Sequence, residues 1–430
     1  MQRTLMQKLV EWKDRTSRMP LLLYGARQVG KTYLLQEFGQ QYFRDTIYIN
    51  FETDAALASE FSRDIDPVRL LNTLEIFFNK KIDPDSTVII LDEIQACERA
   101  LTSLKYFSER TPQYHIVAAG SLLGVTVNRN QHSFPVGKVE PLTLYPLDFE
   151  EFLLALGQEA LISAIREAYA ADSGLPEALH AKALELYKTY LVVGGMPGAV
   201  WAYLKERRML DAAPVQNLIL SSYVADMSKY ASPAETTRIM ACFDSIPTQL
   251  AKENRKFQYK VVRKGGSATL FGPSIDWLTA AGIVLKCARI EHPFMPLAAH
   301  LDLGAFKLYM ADTGLLVLKS GIPAQLLLSG WENNTFSGAI AENYAATSLK
   351  AKGYQLYYWE SGSTAEIDFV LQQNADIIPL ELKAGIHAKS RSLAVYRERY
   401  KPAHAIRISQ KNFGLENGIK SVPLYAMFCL

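Results

Sequence analysis

The chain has 430 residues, 49% of them hydrophobic and 21% charged, with a formal net charge of +2. That length exceeds one ordinary compact core and predicts two or three domains. No run approaches the roughly 20 apolar residues of a bilayer-crossing helix, so no membrane partner is expected. A charge so near zero neither demands nor excludes a nucleic-acid partner, which leaves that question to local clusters.

The first 20 residues read as a short amphipathic helix with charges throughout and no secretory h-region, which predicts a cytoplasmic chain. Cys97, Cys242, Cys287 and Cys429 form no CxxC pair, which argues against a disulfide framework or structural zinc. Residues 21–150 then alternate short apolar runs with helical patterns: LLLYG (21–25), TIYINF (46–51), VIILDE (88–93), HIVAAGS (115–121) and KVEPLTLYPL (138–147). Apolar strands separated by helices predict an α/β fold with a mostly parallel sheet covered on both faces.

Within this stretch Gly25-Ala26-Arg27-Gln28-Val29-Gly30-Lys31-Thr32 fits G-x-x-x-x-G-K-[ST] between an apolar strand and a helix that opens with Tyr33. This is the pattern of a P-loop NTPase, and residues 25–33 are the expected ATP-binding set. Glycines let backbone N–H groups turn inward around phosphates, Lys31 reaches the β and γ oxygens, and the Thr32 hydroxyl ligates Mg²⁺. The strand VIILDE ends in Asp92 and Glu93. Asp92 is expected to hold Mg²⁺ and Glu93 to act as general base on the attacking water. Two acids after a strand also suit a helix cap, but the upstream loop favours the catalytic role. Ser121, at the tip of the next strand, either positions the γ-phosphate or water, or caps the helix that follows.

Residues 151–234 read as a helical module, interrupted by GGMPG (194–198) as a turn. Residues 235–330 suggest a helix to about Gln249, a basic stretch, a helix over 271–281 and a strand GIVLKCARI, an order resembling a winged helix. The stretch carries Lys252, Arg255, Lys256, Lys260, Arg263 and Lys264, interleaved with Phe257 and Tyr259. It suits either a wing pressed on a nucleic-acid backbone or a solvated loop. Residues 331–430 follow as a second α/β domain: a helix (AIAENYAATSLKAKG), three strands (YQLYYWES, AEIDFVLQQ, DIIPLELKAG), a helix (SRSLAVYRERY) and a strand (AHAIRIS).

In that order GARQVGKT, INFE, VIILDEIQ, AAGS and PLDFEEFL resemble the prokaryotic AAA-type ATPases that carry a C-terminal domain of uncharacterised function. The resemblance continues through LVVGGMPGAV, KFQYKVV, WLTAAGIV, KLYMADTGLL and EIDFVL…PLELKAG, and the C-terminal domain resembles the PD-(D/E)xK restriction-endonuclease superfamily. It implies an AAA-type ATPase domain over 1–150. It also implies an arginine supplied by a neighbouring copy in a homo-oligomer, for which Arg110 and Arg129 are candidates. Where many relatives have Gly-Arg this chain has Gly137-Lys138, and lysine cannot reproduce bidentate contact with phosphate.

The similarity to the nucleases rests on Glu342 on a helix, Asp368 at the end of a strand, and Glu381-Leu-Lys383 on the next strand. Alternation puts Glu381 and Lys383 on one face. Asp368, Glu381 and Glu342 would then hold Mg²⁺ through hard oxygen ligands, and Lys383 would orient or activate water. The plain alternative is an exposed, salt-bridged strand face. Tyr396 could contact a backbone phosphate, although Ser392 replaces the glutamine that some relatives carry four positions earlier.

Two functions fit these residues. One is an enzyme coupling ATP to DNA engagement or cleavage. The other is an ATP-switched regulatory or interaction protein whose nuclease-like domain is inactive and binds another protein.

Overall fold

The computed structural model describes residues 1–121, 135, 137–328, 335–362, 365–383 and 391–430. The chain forms two compact units, one of Gln2–Tyr145 with Ala280–Gly282, the other of Met1, Pro146–Thr279 and Ile283–Leu430. Among the described residues no helix is long and apolar enough to cross a membrane.

The first unit opens with helix α1 (Leu5–Lys13), then alternates β1 (Leu21–Tyr24), α2 (Lys31–Tyr42), β2 (Asp45–Asn50), α3 (Ala55–Arg63), α4 (Pro67–Phe78), β3 (Thr87–Asp92), α5 (Glu98–Arg110), β4 (His115–Ala119) and β5 (Glu140–Thr143). These strands form a five-stranded sheet in the order β2-β3-β4-β1-β5, and every pairing is parallel. All residues of β3 and β4 are buried. Strands covered on both faces need continuous apolar runs, which is why VIIL and HIVAA read as they do. Because β4 lies between β1 and β3, the tips of β1, β3 and β4 share one edge of the sheet, where a parallel α/β sheet exposes its ligand crevice.

The second unit begins with α6 (Phe149–Ala155), α7 (Glu159–Ala171), α8 (Glu177–Val193), α9 (Pro197–Glu206), α10 (Ala212–Tyr230) and α11 (Pro233–Leu250). The expected helical module opens with two helices, α6 and α7, separated at Gly157, whose φ of 70° is left-handed. The turn at 194–198 is a close crossing. Gly195 N donates to Asp312 Oδ2 at 2.6 Å, and its own carbonyl accepts from Leu147 N at 2.7 Å.

There follow α12 (Tyr259–Val262), α13 (Ala268–Ala280), β6 (Val284–Ile290), β7 (Leu301–Met310), α14 (Thr313–Lys319), α15 (Ala324–Leu328) and α16 (Thr335–Ala351). Then come β8 (Tyr357–Glu360), β9 (Glu366–Ile367), β10 (Phe369–Gln373), β11 (Asp376–Leu382), α17 (Arg391–Tyr400), β12 (Ala405–Ser409), β13 (Gly414–Glu416) and β14 (Ile419–Pro423). A four-stranded sheet runs β7-β6-β8-β9 and a five-stranded one β10-β11-β12-β14-β13. The first therefore draws strands from both sides of residue 331: β6 and β7 are antiparallel, and β8 joins β6 in parallel.

Candidate functional site

β1 delivers the chain into the loop Gly25–Gly30, and α2 begins at Lys31. Gly25 takes φ 152° and leaves no room for a side chain, since a Cβ there would lie 2.4 Å from the Leu144 carbonyl oxygen. Gln28 at φ 66° and Gly30 at φ 93° complete the left-handed bends of a phosphate cradle. Ala26 and Val29 are buried and anchor the loop, Arg27 is half-buried, and Gln28 is exposed. Arg3 braces it from the N-terminus, donating from Nη1 to Val29 O at 2.9 Å and from Nη2 to Tyr145 O at 2.5 Å.

Lys31 is buried, and its Nζ donates to the carbonyls of Gly25 and Ala26, both at 2.9 Å. The ammonium is thus held inside the loop's own curve, where a β or γ oxygen can compete for it. The Thr32 hydroxyl donates to Asp92 Oδ2 at 2.6 Å. Asp92 is buried at the end of β3, accepts from Tyr48 OH at 2.9 Å on the same oxygen, and takes the Glu93 amide on Oδ1 at 2.9 Å. Burial and the Asp92 carboxylate push the Tyr48 phenol up to about 12, so at neutral pH it remains a donor. Tyr33, beside the loop, is 55% exposed.

Glu93 sits at φ 48°, ψ 42°, a left-handed conformation that costs a non-glycine residue about 1 kcal/mol and that clusters at functional sites. Its Oε2 accepts from Gln95 Nε2 at 2.5 Å and from the Ser121 hydroxyl at 3.4 Å. Ser121 is buried at the β4 tip, so Lys31, Thr32, Asp92, Glu93 and Ser121 gather at one sheet edge. The helix that Ser121 could cap falls outside the described residues. Thr32 and Asp92 are adjacent hard-oxygen donors, the set that suits Mg²⁺. Tyr48 and Gln95 escaped the sequence reading, although Gln95 stands two residues after Glu93 and was legible as a candidate orienting group.

Of the arginine-finger candidates, Arg110 pairs with Asp66 at 2.6 Å; Lys138, which stands where many relatives carry arginine, pairs with Glu109 at 3.1 Å. Arg129 lies outside the described residues.

In the second unit, Asp368 stands between β9 and β10, and its Oδ2 accepts from Leu382 N at 2.8 Å. That bond brings it beside Glu381, which is buried on β11 and paired with Lys383 Nζ at 3.1 Å. Glu342, on α16, is engaged elsewhere: its Oε2 accepts from Lys307 Nζ at 3.3 Å and Tyr309 OH at 3.0 Å, and Oε1 pairs with Arg255. Among the described residues no three His, Cys, Asp or Glu side chains form a group that could hold a metal ion. Tyr396 is buried, with its ring edge-on to Trp359 at 5.1 Å, which removes it from any exposed phosphate. Ser392 Oγ accepts from Glu366 N at 3.3 Å.

The basic stretch divides. Arg255 pairs with Glu342, Lys256 with Glu360, and Lys252 Nζ donates to Gln258 Oε1 at 3.3 Å. Lys260, Arg263 and Lys264 are exposed on and just after α12.

Residues 17–153 match the family model described as an AAA domain. With the parallel sheet and the loop just described, this region is a P-loop domain of the AAA ATPase class. Residues 184–326 and 337–427 match two models described as domains of unknown function, DUF8612 and DUF4143. No curated protein matches the chain. Among solved structures, the chain is similar to the Walker-type ATPase paby2304 of Pyrococcus abyssi at 17% identity, over 73% of this chain and 94% of that one, with a TM-score of 0.46. It is also similar to the Aeropyrum pernix ORC2 protein in its ADPNP-ADP complexes at 15% identity, over 78% and 90%, with a TM-score of 0.36. AMPPCP-bound DnaA from Aquifex aeolicus matches at 12% identity over 64% and 86%, with a TM-score of 0.27.

Proposed function

We propose that this chain is a Mg²⁺-dependent ATPase whose nucleotide state governs an interaction made by its second unit, with DNA as the favoured partner. The observation that carries the reading is the 2.6 Å contact between Thr32 Oγ1 and Asp92 Oδ2 beside the buried Lys31. Backbone N–H groups of the loop 25–31 receive the phosphates, and Lys31 exchanges its two carbonyl partners for β and γ oxygens. Thr32 and Asp92 would hold Mg²⁺, which when bound neutralises charge on those oxygens. Glu93 accepts the proton of the attacking water, and Gln95 and Ser121 fix the orientation of its carboxylate.

DNA engagement is supported by the exposed Lys260, Arg263 and Lys264, and by the succession α11, α12, α13, β6 and β7, which has the element order of a winged helix. The nuclease half of the reading would use Asp368, Glu381, Lys383 and Glu342. A regulatory or interaction role without cutting is favoured by one observation, the engagement of Glu342 by Lys307, Arg255 and Tyr309.

The test is ATP turnover with Mg²⁺, with and without DNA, in wild type and Glu93→Gln. Turnover that falls at least about a hundredfold in the variant supports the assignment. Undiminished turnover would contradict it. Mg²⁺-dependent cleavage of single- and double-stranded DNA, lost in Lys383→Ala, would instead support the nuclease.

A further inference from the structure

Glu342 is only 1% exposed and is the focus of an ion cluster in the second unit. Lys307 on β7 is completely buried, and its ammonium bridges Glu342 Oε2 at 3.3 Å and Glu366 Oε1 at 2.5 Å. The same nitrogen lies 5.1 Å from the centre of the Tyr358 ring, a third favourable contact for a desolvated cation. Tyr309, two residues along β7 and therefore on the same face, adds its hydroxyl to Glu342 Oε2 at 3.0 Å. Arg255 supplies a second cation to Oε1. Two fixed positive charges thus meet the two carboxylates of Glu342 and Glu366.

The local structure is shaped to deliver the arginine. Arg255 adopts φ 50°, a left-handed conformation that non-glycine residues rarely take. Just after it, Phe257 N donates to Phe306 O at 2.9 Å and its ring stacks on Phe306 at 5.4 Å, which fastens the segment to β7 next to Lys307. On α16 the residue one turn before Glu342 is Gly338, and a Cβ there would lie 2.6 Å from Arg255 Nη2. A glycine at this position opens the path by which the guanidinium reaches a carboxylate four residues on, on the same helix face.

A metal-dependent phosphodiesterase built on Glu342, Asp368 and Glu381 needs them as open oxygen ligands. Here both Glu342 oxygens are taken, Oε2 by Lys307 and Tyr309 and Oε1 by Arg255. A divalent ion at Glu342 would have to displace these donors and would bring further positive charge beside the buried Lys307, an arrangement that is strongly unfavourable. Asp368 and Glu381 are likewise committed, to the Leu382 amide and to Lys383.

We infer that Lys307 and Arg255 take the place of the divalent cation in the C-terminal constellation. The centre is a metal-free ion cluster that ties the segment leading into α12 to β7 and α16. This deepens the non-cutting reading above, and the two are tested separately, because metal uptake and DNA cleavage are different measurements.

The experiment is a Mn²⁺ titration of the nucleotide-free chain followed by electron paramagnetic resonance, alongside Glu342→Gln and Asp368→Asn. The expected result is the same free-ion signal in all three proteins. One bound Mn²⁺ per wild-type chain that is lost in both variants would overturn the inference. Thermal unfolding of Arg255→Gln, Glu342→Gln and the double variant provides the second readout, and it does not depend on the more disruptive loss of Lys307. The double variant is expected to lose clearly less than the sum of the single shifts. Strictly additive shifts would contradict the pairing.

Discussion

Thr32 and Asp92 lie 60 residues apart in sequence, and the Thr32 hydroxyl donates to Asp92 Oδ2 at 2.6 Å. Tyr48 from β2 donates to the same oxygen at 2.9 Å. Strands β2 and β3 and helix α2 therefore converge on one carboxylate oxygen. Tyr48→Phe removes one donor and preserves the ring. It is expected to lower kcat for ATP about three- to tenfold with KM nearly unchanged, the cost of about 1 kcal/mol of lost positioning. Steady-state kinetics decide this, and an unchanged kcat would remove Tyr48 from the site.

Gly195 leaves no space for a side chain, because a Cβ would stand 1.9 Å from the Leu147 carbonyl oxygen. That atom is backbone in a close crossing and cannot swing aside. Gly195→Ala is therefore expected to destabilise the second unit by about 3 kcal/mol or more, measured by denaturant unfolding. A change below about 1 kcal/mol would mean that the crossing adapts.

Asp148 caps α6, accepting the Glu151 amide at 2.8 Å. Burial, then the Glu151 carboxylate, push its pKa up to about 7. The unfolded value is about 3.9, so between those pH values the folded chain keeps a proton that the unfolded chain has released. Stability from this group is present at low pH and is lost as pH rises through about 7. Asparagine can still cap but does not titrate. Asp148→Asn is expected to gain about 2 kcal/mol on wild type between pH 5 and pH 8. Parallel stability curves for the two proteins would contradict this.

The parallel sheet and phosphate loop were legible because both are local: apolar runs of strand length, glycines at fixed offsets, and acids at a strand tip. The hairpin of β13 and β14 was equally legible and was missed. Its two-residue loop is Asn417-Gly418, with φ of 52° and 72°, the pairing that favours a tight hairpin. Strand β7 was missed as well, where a lone lysine interrupts an apolar run. That lysine, Lys307, proved to be the buried centre of the ion cluster. The basic stretch read as one face because its residues are neighbours in sequence, but Arg255 and Lys256 point to carboxylates that arrive from distant helices and strands. Pairing between remote charges leaves no periodic trace in a sequence, so the fates of Glu342 and Arg255 could be known only from the fold.

The central claim is that the loop 25–32 binds ATP through Lys31, and thermal unfolding with and without Mg²⁺-ATP tests it most directly. At ligand about a hundredfold above its dissociation constant, wild type should gain about 2.7 kcal/mol and unfold at a higher temperature, while Lys31→Ala should show no shift. An equal upward shift in Lys31→Ala would contradict the account.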